Sequence, residues 1–354
     1  MTATLLNCVD GPTESILSFS KSSTHIAIGS QDNYVYFILL DTMEVVQKFE
    51  FQDSVTQVEF FNDQLLVAAS LDGQLTYFVK IDLLFQKQRS QILSPVSSFM
   101  IYKKKIFVIS EDSIAYILKG NDLSIITALS IDGLTSVTAY NDFMVFGGKS
   151  IELYDIKANQ IINKITLNDE TCLSLITLNQ SVIFGSDTGK IHILSLRSNK
   201  LLEMESSAPE AGSQVICMRS LSINNYQLVL IGTDNSFICL EQNLNLRYEN
   251  NLQTGICAIE FFETLVLCGC TDGSVIVFDV LKGEKICSFQ GIVPLDEENL
   301  PITDLKVIDN KLCVTGDSYF YVYDCDFYEI QKKAEIMEDE EEVGPNGGNE
   351  QEIE

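Results

Sequence analysis

The chain has no tryptophan, two histidines and six prolines in 354 residues. Bases are scarce as well: 23 Lys and Arg stand against 50 Asp and Glu, for a formal net charge of −27. No stretch approaches 18 uninterrupted apolar residues, which excludes a membrane-spanning helix. The opening MTATLLNCVDGPTES has neither a basic start nor an adequate apolar run, so no signal peptide is expected. Helical periodicity is nearly absent, and few prolines interrupt strands. The ten cysteines lack the framework of a short secreted domain. Cys217, Cys239, Cys257, Cys287 and Cys313 fall inside apparent strands, where free cysteine acts as a small buried hydrophobe. A reducing compartment, cytoplasm or nucleus, is expected.

What is present is repetition. Gly255 to Gly291 reads GICAIEFFETLVLCGCTDGSVIVFDVLKGEKICSFQG. CAIEFF, LVLCGC, SVIVFDV and EKICSF are four short runs separated by tight turns, the pattern of a four-stranded antiparallel meander. Asp272-Gly273 supplies the positive φ angles of a hairpin. The opening run recurs at Ile16, Val55, Val96, Thr135, Leu173, Val215, Cys257 and Ile302. The spacing is roughly forty residues, the period of a propeller blade. First turns carry Asn62-Asp63, Asn141-Asp142, Asn179-Gln180, Asn224-Asn225 and Asp309-Asn310. Second hairpins carry Asp32, Asp72, Asp112, Gly148, Asp187, Asp234, Asp272 and Asp317. Leu40-Asp41, Tyr154-Asp155, Phe278-Asp279 and Tyr323-Asp324 close some third strands.

The chain is therefore expected to be all-β, with residues 1–333 forming one β-propeller of eight blades. Seven, the commoner count, is the alternative, since the repeat from Pro95 to Ser130 is the least regular. TATLLNCV at the N-terminus is a strand with no hairpin partner beside it. It is expected to close the ring by pairing into the last blade. Residues 334–354 form an acidic tail expected to be disordered.

Glu335 to Glu354 contains nine acids and no base, so 41 acids against 23 bases remain in the ring, near −18. Such a surface repels nucleic acid and anionic lipid and favours cationic partners. Second hairpins and the loops joining blades share one face of a propeller. The hairpin aspartates are foremost turn formers that bond their own backbone. Asp53, Asp132, Asp169, Glu170, Asp296, Glu297 and Glu298 lie in joining loops and have less structural reason to be acidic. They read equally as solvated charge or as a partner-binding set. The long joins Glu203 to Gln214 and Gly291 to Pro301 add further acids, and long loops often carry function.

Chemical motifs fail on inspection. Gly185-Ser-Asp-Thr-Gly189-Lys190 is one residue short of a phosphate-binding loop and lies between strands, so it reads as a hairpin. Cys268 and Cys270 lack a second ligand pair at zinc spacing. His25 and His192 have no accompanying nucleophile motif. The sequon Asn179-Gln180-Ser181 lacks a secretory context. No catalytic, cofactor-binding or metal-binding residue is assigned, and no cofactor is expected.

The repeats resemble the WD40 family, with an aromatic or aliphatic residue in place of tryptophan and no Gly-His pair before the opening strands. SQDNYVYFILLDTMEVVQKFEFQDSVTQVEFFNDQLLVAASLDGQLTYF and TGICAIEFFETLVLCGCTDGSVIVFDVLKGEKICSFQG are similar to the eight-repeat ribosome-assembly WD proteins of the angio-associated migratory cell protein type. That family carries its acidic stretch before the propeller, whereas here it follows. The resemblance implies a non-enzymatic chaperone or adaptor that holds a basic large-subunit ribosomal protein; a monomer is expected, and the acidic charge argues against direct contact with nucleic acid or membrane. Two other readings stay open: a general scaffold in translation initiation, trafficking or ubiquitin ligation, and an enzyme using the central channel.

Overall fold

The computed structural model describes residues 3–9, 11–197, 200–205, 213–223, 226–289, 301–330 and 332. The expected tail and the acids at 296–298 lie outside the described residues. Eight four-stranded antiparallel sheets form an eight-bladed β-propeller. The repeat from Pro95 to Ser130 is a full blade, with strands Val96–Tyr102, Lys105–Ser110, Ile114–Lys119 and Ile125–Ser130. Blades one to seven run consecutively from first to fourth strand. Blade eight takes Ile302–Ile308, Lys311–Gly316 and Tyr319–Asp324 from the C-terminal part, and its fourth strand is Thr4–Val9. Cys8 faces Tyr321 and Val9 faces Phe320 in that pairing, so the orphan N-terminal strand closes the ring. Closure by strand exchange removes two unpaired sheet edges.

The core is divided between blades. Eight apolar clusters each join one blade to the next, the last uniting blade eight with blade one. Between blades one and two, Phe37 stacks on Phe85 with ring centroids 4.2 Å apart. Between blades six and seven, Phe278 lies 5.0 Å from Phe237. Each such ring, fully buried, contributes about 1.5–3 kcal/mol of transfer free energy. The blades approach so closely that small residues are required at the contact. A Cβ on Gly185 would stand 2.5 Å from Val215, and one on Gly269 2.5 Å from Leu305, both on the next blade.

First strands line the central channel and are laced by side chains about one repeat apart. The Val58 N–H donates to Ser18 Oγ at 2.8 Å, and the Phe99 N–H donates to Gln57 Oε1 at 2.7 Å. Two faces result. On the upper face described joining loops meet the second hairpin of their blade: the Gln31 N–H donates to Ser15 O, and the Leu71 N–H to Ser54 O, both at 2.9 Å. On the lower face the first turn meets the end of the third strand: the Leu40 N–H donates to Thr24 O at 3.0 Å, and the Ile156 N–H to Asp142 O at 2.9 Å. The terminal aspartates of third strands serve this lower face. Asp279 Oδ1 accepts the N–H groups of Leu281 and Lys282, both at 2.8 Å.

Candidate functional site

The upper face separates its acids into two kinds. The hairpin aspartates hold backbone. Asp32 accepts hydrogen bonds from the Thr13 N–H at 2.7 Å, the Tyr34 N–H at 3.2 Å and the Tyr36 hydroxyl at 2.7 Å. Burial and the adjoining Asp32 carboxylate push the Tyr36 phenol well above its ordinary range. Asp72 accepts from the Gln52 and Gln74 N–H groups at 2.8 and 2.7 Å. Asp187 accepts from the Thr171 N–H at 3.0 Å. In each case the carboxylate fixes the loop that enters its own blade. A short acceptor at a hairpin corner satisfies donors that the strands leave free. Gly273, at φ 74°, shows the turn geometry the Asp-Gly pair predicts.

The joining-loop acids differ. Asp53 is exposed and accepts the N–H of its neighbour Ser54 at 2.7 Å. Asp132 is 75% exposed and faces Lys149 at 3.5 Å, a solvated pair worth little. Asp169 is exposed in a left-handed conformation, φ 56°. Glu170 is set apart from these three. Its side chain is 12% exposed, and it accepts from Lys190 Nζ at 2.6 Å and meets His192 Nε2 at 2.8 Å. Burial pushes its carboxyl upward, but the hydrogen bonds from Lys190 and His192 outweigh burial and hold it below the usual range. Glu170 is thus committed inside blade five, while Asp53, Asp132 and Asp169 face solvent. Asp296, Glu297 and Glu298 lie outside the described residues.

Sequence reasoning did not single out Glu14 or Glu111, and it read Asp112 only as a turn former. All three are exposed on the same face. Their signal was positional: Glu14 precedes a first strand, and Glu111-Asp112 fills the second hairpin of blade three. Among the described joining loops and second hairpins, the cations are Lys149 and Lys190. Among the described residues, the upper face is therefore rich in carboxylates with little compensation.

Charged groups also enter the channel. Asp304 Oδ2 lies 3.2 Å from Lys306 Nζ, and that ammonium sits 4.3 Å over the Phe19 ring and donates to Phe19 O. Burial pushes the Asp304, Glu59 and Glu260 carboxyls upward. Lys306 thereby ties blade eight to blade one. The two histidines are packed elsewhere: His25 against Phe85 at 5.2 Å, His192 on Phe184 at 4.7 Å. Burial and the nearby Lys80 charge hold the His25 imidazole below its usual range. The Gly185–Lys190 segment is a hairpin between Ser181–Ser186 and Ile191–Arg197. Cys268 and Cys270 are fully buried, and burial pushes both thiols up, Cys270 to about 12.

No family model matches the chain, and no curated protein matches it by sequence. Solved structures do match. Sqt1 of Chaetomium thermophilum, bound to the N-terminus of the ribosomal protein L10, has a TM-score of 0.78 over 91% of this chain and 100% of its own, at 13% identity. Sqt1 of Saccharomyces cerevisiae gives 0.76 over 91% and 99%, at 14% identity. The computationally designed protein Ika8 gives 0.74 over 90% and 99%, at 16% identity. At these identities the likeness is one of fold. A designed protein matches about as well as a ribosomal-protein binder, so function must be argued from the surface. The chain is similar to these proteins in its β-propeller fold.

Proposed function

We propose that this propeller is a WD-type chaperone or adaptor that holds a basic ribosomal protein by its basic segment during large-subunit assembly. The observation that carries the reading is the upper face: exposed Asp53, Asp132 and Asp169 stand beside Glu14, Glu111 and Asp112 with few cations among them. The Sqt1 structure with a ribosomal-protein N-terminus supports the choice of client. Neutralising a Lys/Arg-rich segment would suppress its nonspecific binding to RNA. Asp296, Glu297 and Glu298 lie outside the described residues and join the candidate set from their place in the sequence. Glu170 contributes background field rather than direct contact, because Lys190 and His192 already occupy it. The protein acts without catalysis, as a monomer, in the cytoplasm or nucleus.

The test is a titration of basic ribosomal-protein segments against the wild type and against a variant with Asp53, Asp132, Asp169, Asp296, Glu297 and Glu298 changed to Asn or Gln. Binding should weaken in the variant and should also weaken as salt rises, since screening acts over about 8 Å at physiological ionic strength. Equal affinity of the two proteins, or salt-independent binding, rules out the acidic-face mechanism.

A second reading, a general protein-interaction scaffold, is favoured by one observation. The hairpin of blade two carries Ile81, Leu83 and Leu84 at 46, 59 and 51% exposure, away from the acidic face. Adjacent exposed aliphatics of this kind mark contact surfaces. If no basic client binds and Leu83→Ser with Leu84→Ser removes a co-purifying partner, the scaffold reading replaces the chaperone.

A further inference from the structure

The lower face carries a feature that client binding does not use. The first turn of blade three is Lys103-Lys104, followed by Lys105. Both turn lysines adopt left-handed conformations, φ 47° and 61°. The matching turns of blades four, five and eight place Asn141, Asn179, Asp309 and Asn310 in that region, residue types whose short side chains relieve it by local hydrogen bonds. Lysine has no such relief, so the surrounding fold holds this turn at a cost. These lysines border a groove of about 650 Å³ whose walls include half-buried Phe61 of blade two and Ile126 of blade three.

Their charges are not equally available. Lys119, also on the rim, is balanced by the nearby Asp122, whose carboxylate accepts the Ser124 N–H at 2.9 Å and the Ser124 hydroxyl at 2.6 Å. Lys103 meets Asp142 at 2.6 Å, a carboxylate it shares with Lys157. Lys105 is half-buried and donates to Ile156 O and Asn159 Oδ1, both at 2.7 Å, which leaves one ammonium donor for a further partner. Lys104 is exposed and within ion-pair reach of no carboxylate among the described residues. An uncompensated ammonium, a half-buried one next to it in the chain, and aromatic and aliphatic walls suit a carboxylate set beside an apolar side chain.

We propose that this groove docks an extended acidic segment of a partner protein, one in which Asp or Glu flanks a Leu or Phe. The carboxylates of that segment meet Lys104 and Lys105, and its apolar side chain lies against Phe61 and Ile126. Charge complementarity selects this occupant. A basic segment would be repelled here, and a purely apolar one would leave the Lys104 ammonium without a counter-charge. Size agrees as well: pockets of about 300–1,000 Å³ hold a small ligand, so this groove admits a short peptide stretch and not a folded domain. Exposed charge pairs are individually weak, and the apolar contact adds burial to them. Lysine at φ 61° thus trades local stability for a charge at the groove.

The experiment is fluorescence anisotropy of the full-length protein with a fluorescein-labelled peptide, Gly-Asp-Glu-Leu-Phe-Glu-Asp-Gly, at physiological ionic strength. One control peptide replaces Leu and Phe by Ser, and a second replaces the acids by Asn and Gln. The parent peptide should bind saturably, and both controls about tenfold more weakly or not at all. Lys104→Glu should weaken parent binding by about tenfold, because an attraction becomes a repulsion. Lys104→Gly should weaken it by about threefold while the melting temperature moves by less than about 2 °C. Glycine accepts φ 61° without strain, and that relief offsets the freedom it adds to the unfolded chain. If Lys104→Glu lowers the melting temperature, Lys104→Gly decides alone. A parent Kd weaker than about 1 mM, binding unchanged in the Lys104 variants, or equal binding of the parent and either control would each overturn the proposal. Phosphatidylserine vesicles that bind through Lys104 while the peptide does not would overturn it too, and would assign the groove to a membrane surface. None of these outcomes depends on client binding by the upper face.

Discussion

Asp53 on the upper face and Asp142 on the lower face occupy comparable loops, yet their surroundings differ. Asp53 faces solvent and touches the N–H of its own neighbour. Asp142 accepts from Lys103 and Lys157, both at 2.6 Å, and these two bonds hold its carboxyl down at about 2. A net charge of −27 is therefore not spread evenly. Lys21, Lys80, Lys103, Lys104, Lys105, Lys119 and Lys157 gather near lower-face turns, while the upper face keeps its acids largely uncompensated. The comparison separates charge that binds the protein to itself from charge that faces solvent.

The largest expected effect breaks the upper face alone. Neutralising its joining-loop acids together should weaken a basic client at least tenfold at low salt. Exposed pairs contribute about 0.2–1 kcal/mol each, and about 1.4 kcal/mol is tenfold in affinity. Lys103→Gln with Lys157→Gln, on the lower face, should leave the same titration unchanged. A comparable loss from the lysine variant would show that the two faces are not independent.

A smaller effect distinguishes the two kinds of upper-face acid. Asp32→Ala removes the acceptor of two backbone N–H groups and of the Tyr36 hydroxyl, and should cost about 1–3 kcal/mol in denaturant unfolding. Asp53→Ala should stay within about 0.5 kcal/mol. Equal costs would erase the distinction between structural and available carboxylates.

The lower face can be read by pH. A depressed carboxyl pKa contributes stability that is fully present above the ordinary value of 3.8 and is lost as pH falls through about 2. The Asp142 carboxyl, followed by carbon-detected NMR, should titrate near that lower value. In the variant lacking Lys103 and Lys157 amines it should return toward 3.8. An unchanged midpoint would show that the ammonium groups do not set it.

Smallest of all is the response to deleting Glu335 to Glu354. The segment is acidic and poor in apolar residues, so the melting temperature should fall by less than about 2 °C. A drop of many degrees would make the segment part of the core.

The fold was legible because each blade repeats a local solution. Asp272-Gly273 dictates a hairpin, CAIEFF dictates a strand with one buried edge, and TATLLNCV had no partner nearby and so had to close the ring. Blade three, the least regular in sequence, still formed four strands, because Phe107, Val108 and Ile109 preserve its buried second strand between neighbouring blades. The candidate site was legible only in outline. Asp169 and Glu170 are adjacent in sequence and indistinguishable there, yet one faces solvent and the other meets Lys190 and His192.

The order of apolar runs and turn formers was enough by itself to determine the repeat period and the four-stranded meander of a blade. These follow from hydrogen bonding between neighbours in the chain and from side-chain alternation, which are local. Tertiary structure alone decided which carboxylates are spent and which are free, and it brought Phe61, Lys104, Lys119 and Ile126 around one groove. Those relations join residues of different strands and blades. Their distances are fixed by ring closure and by packing between sheets, for which a linear sequence contains no ruler.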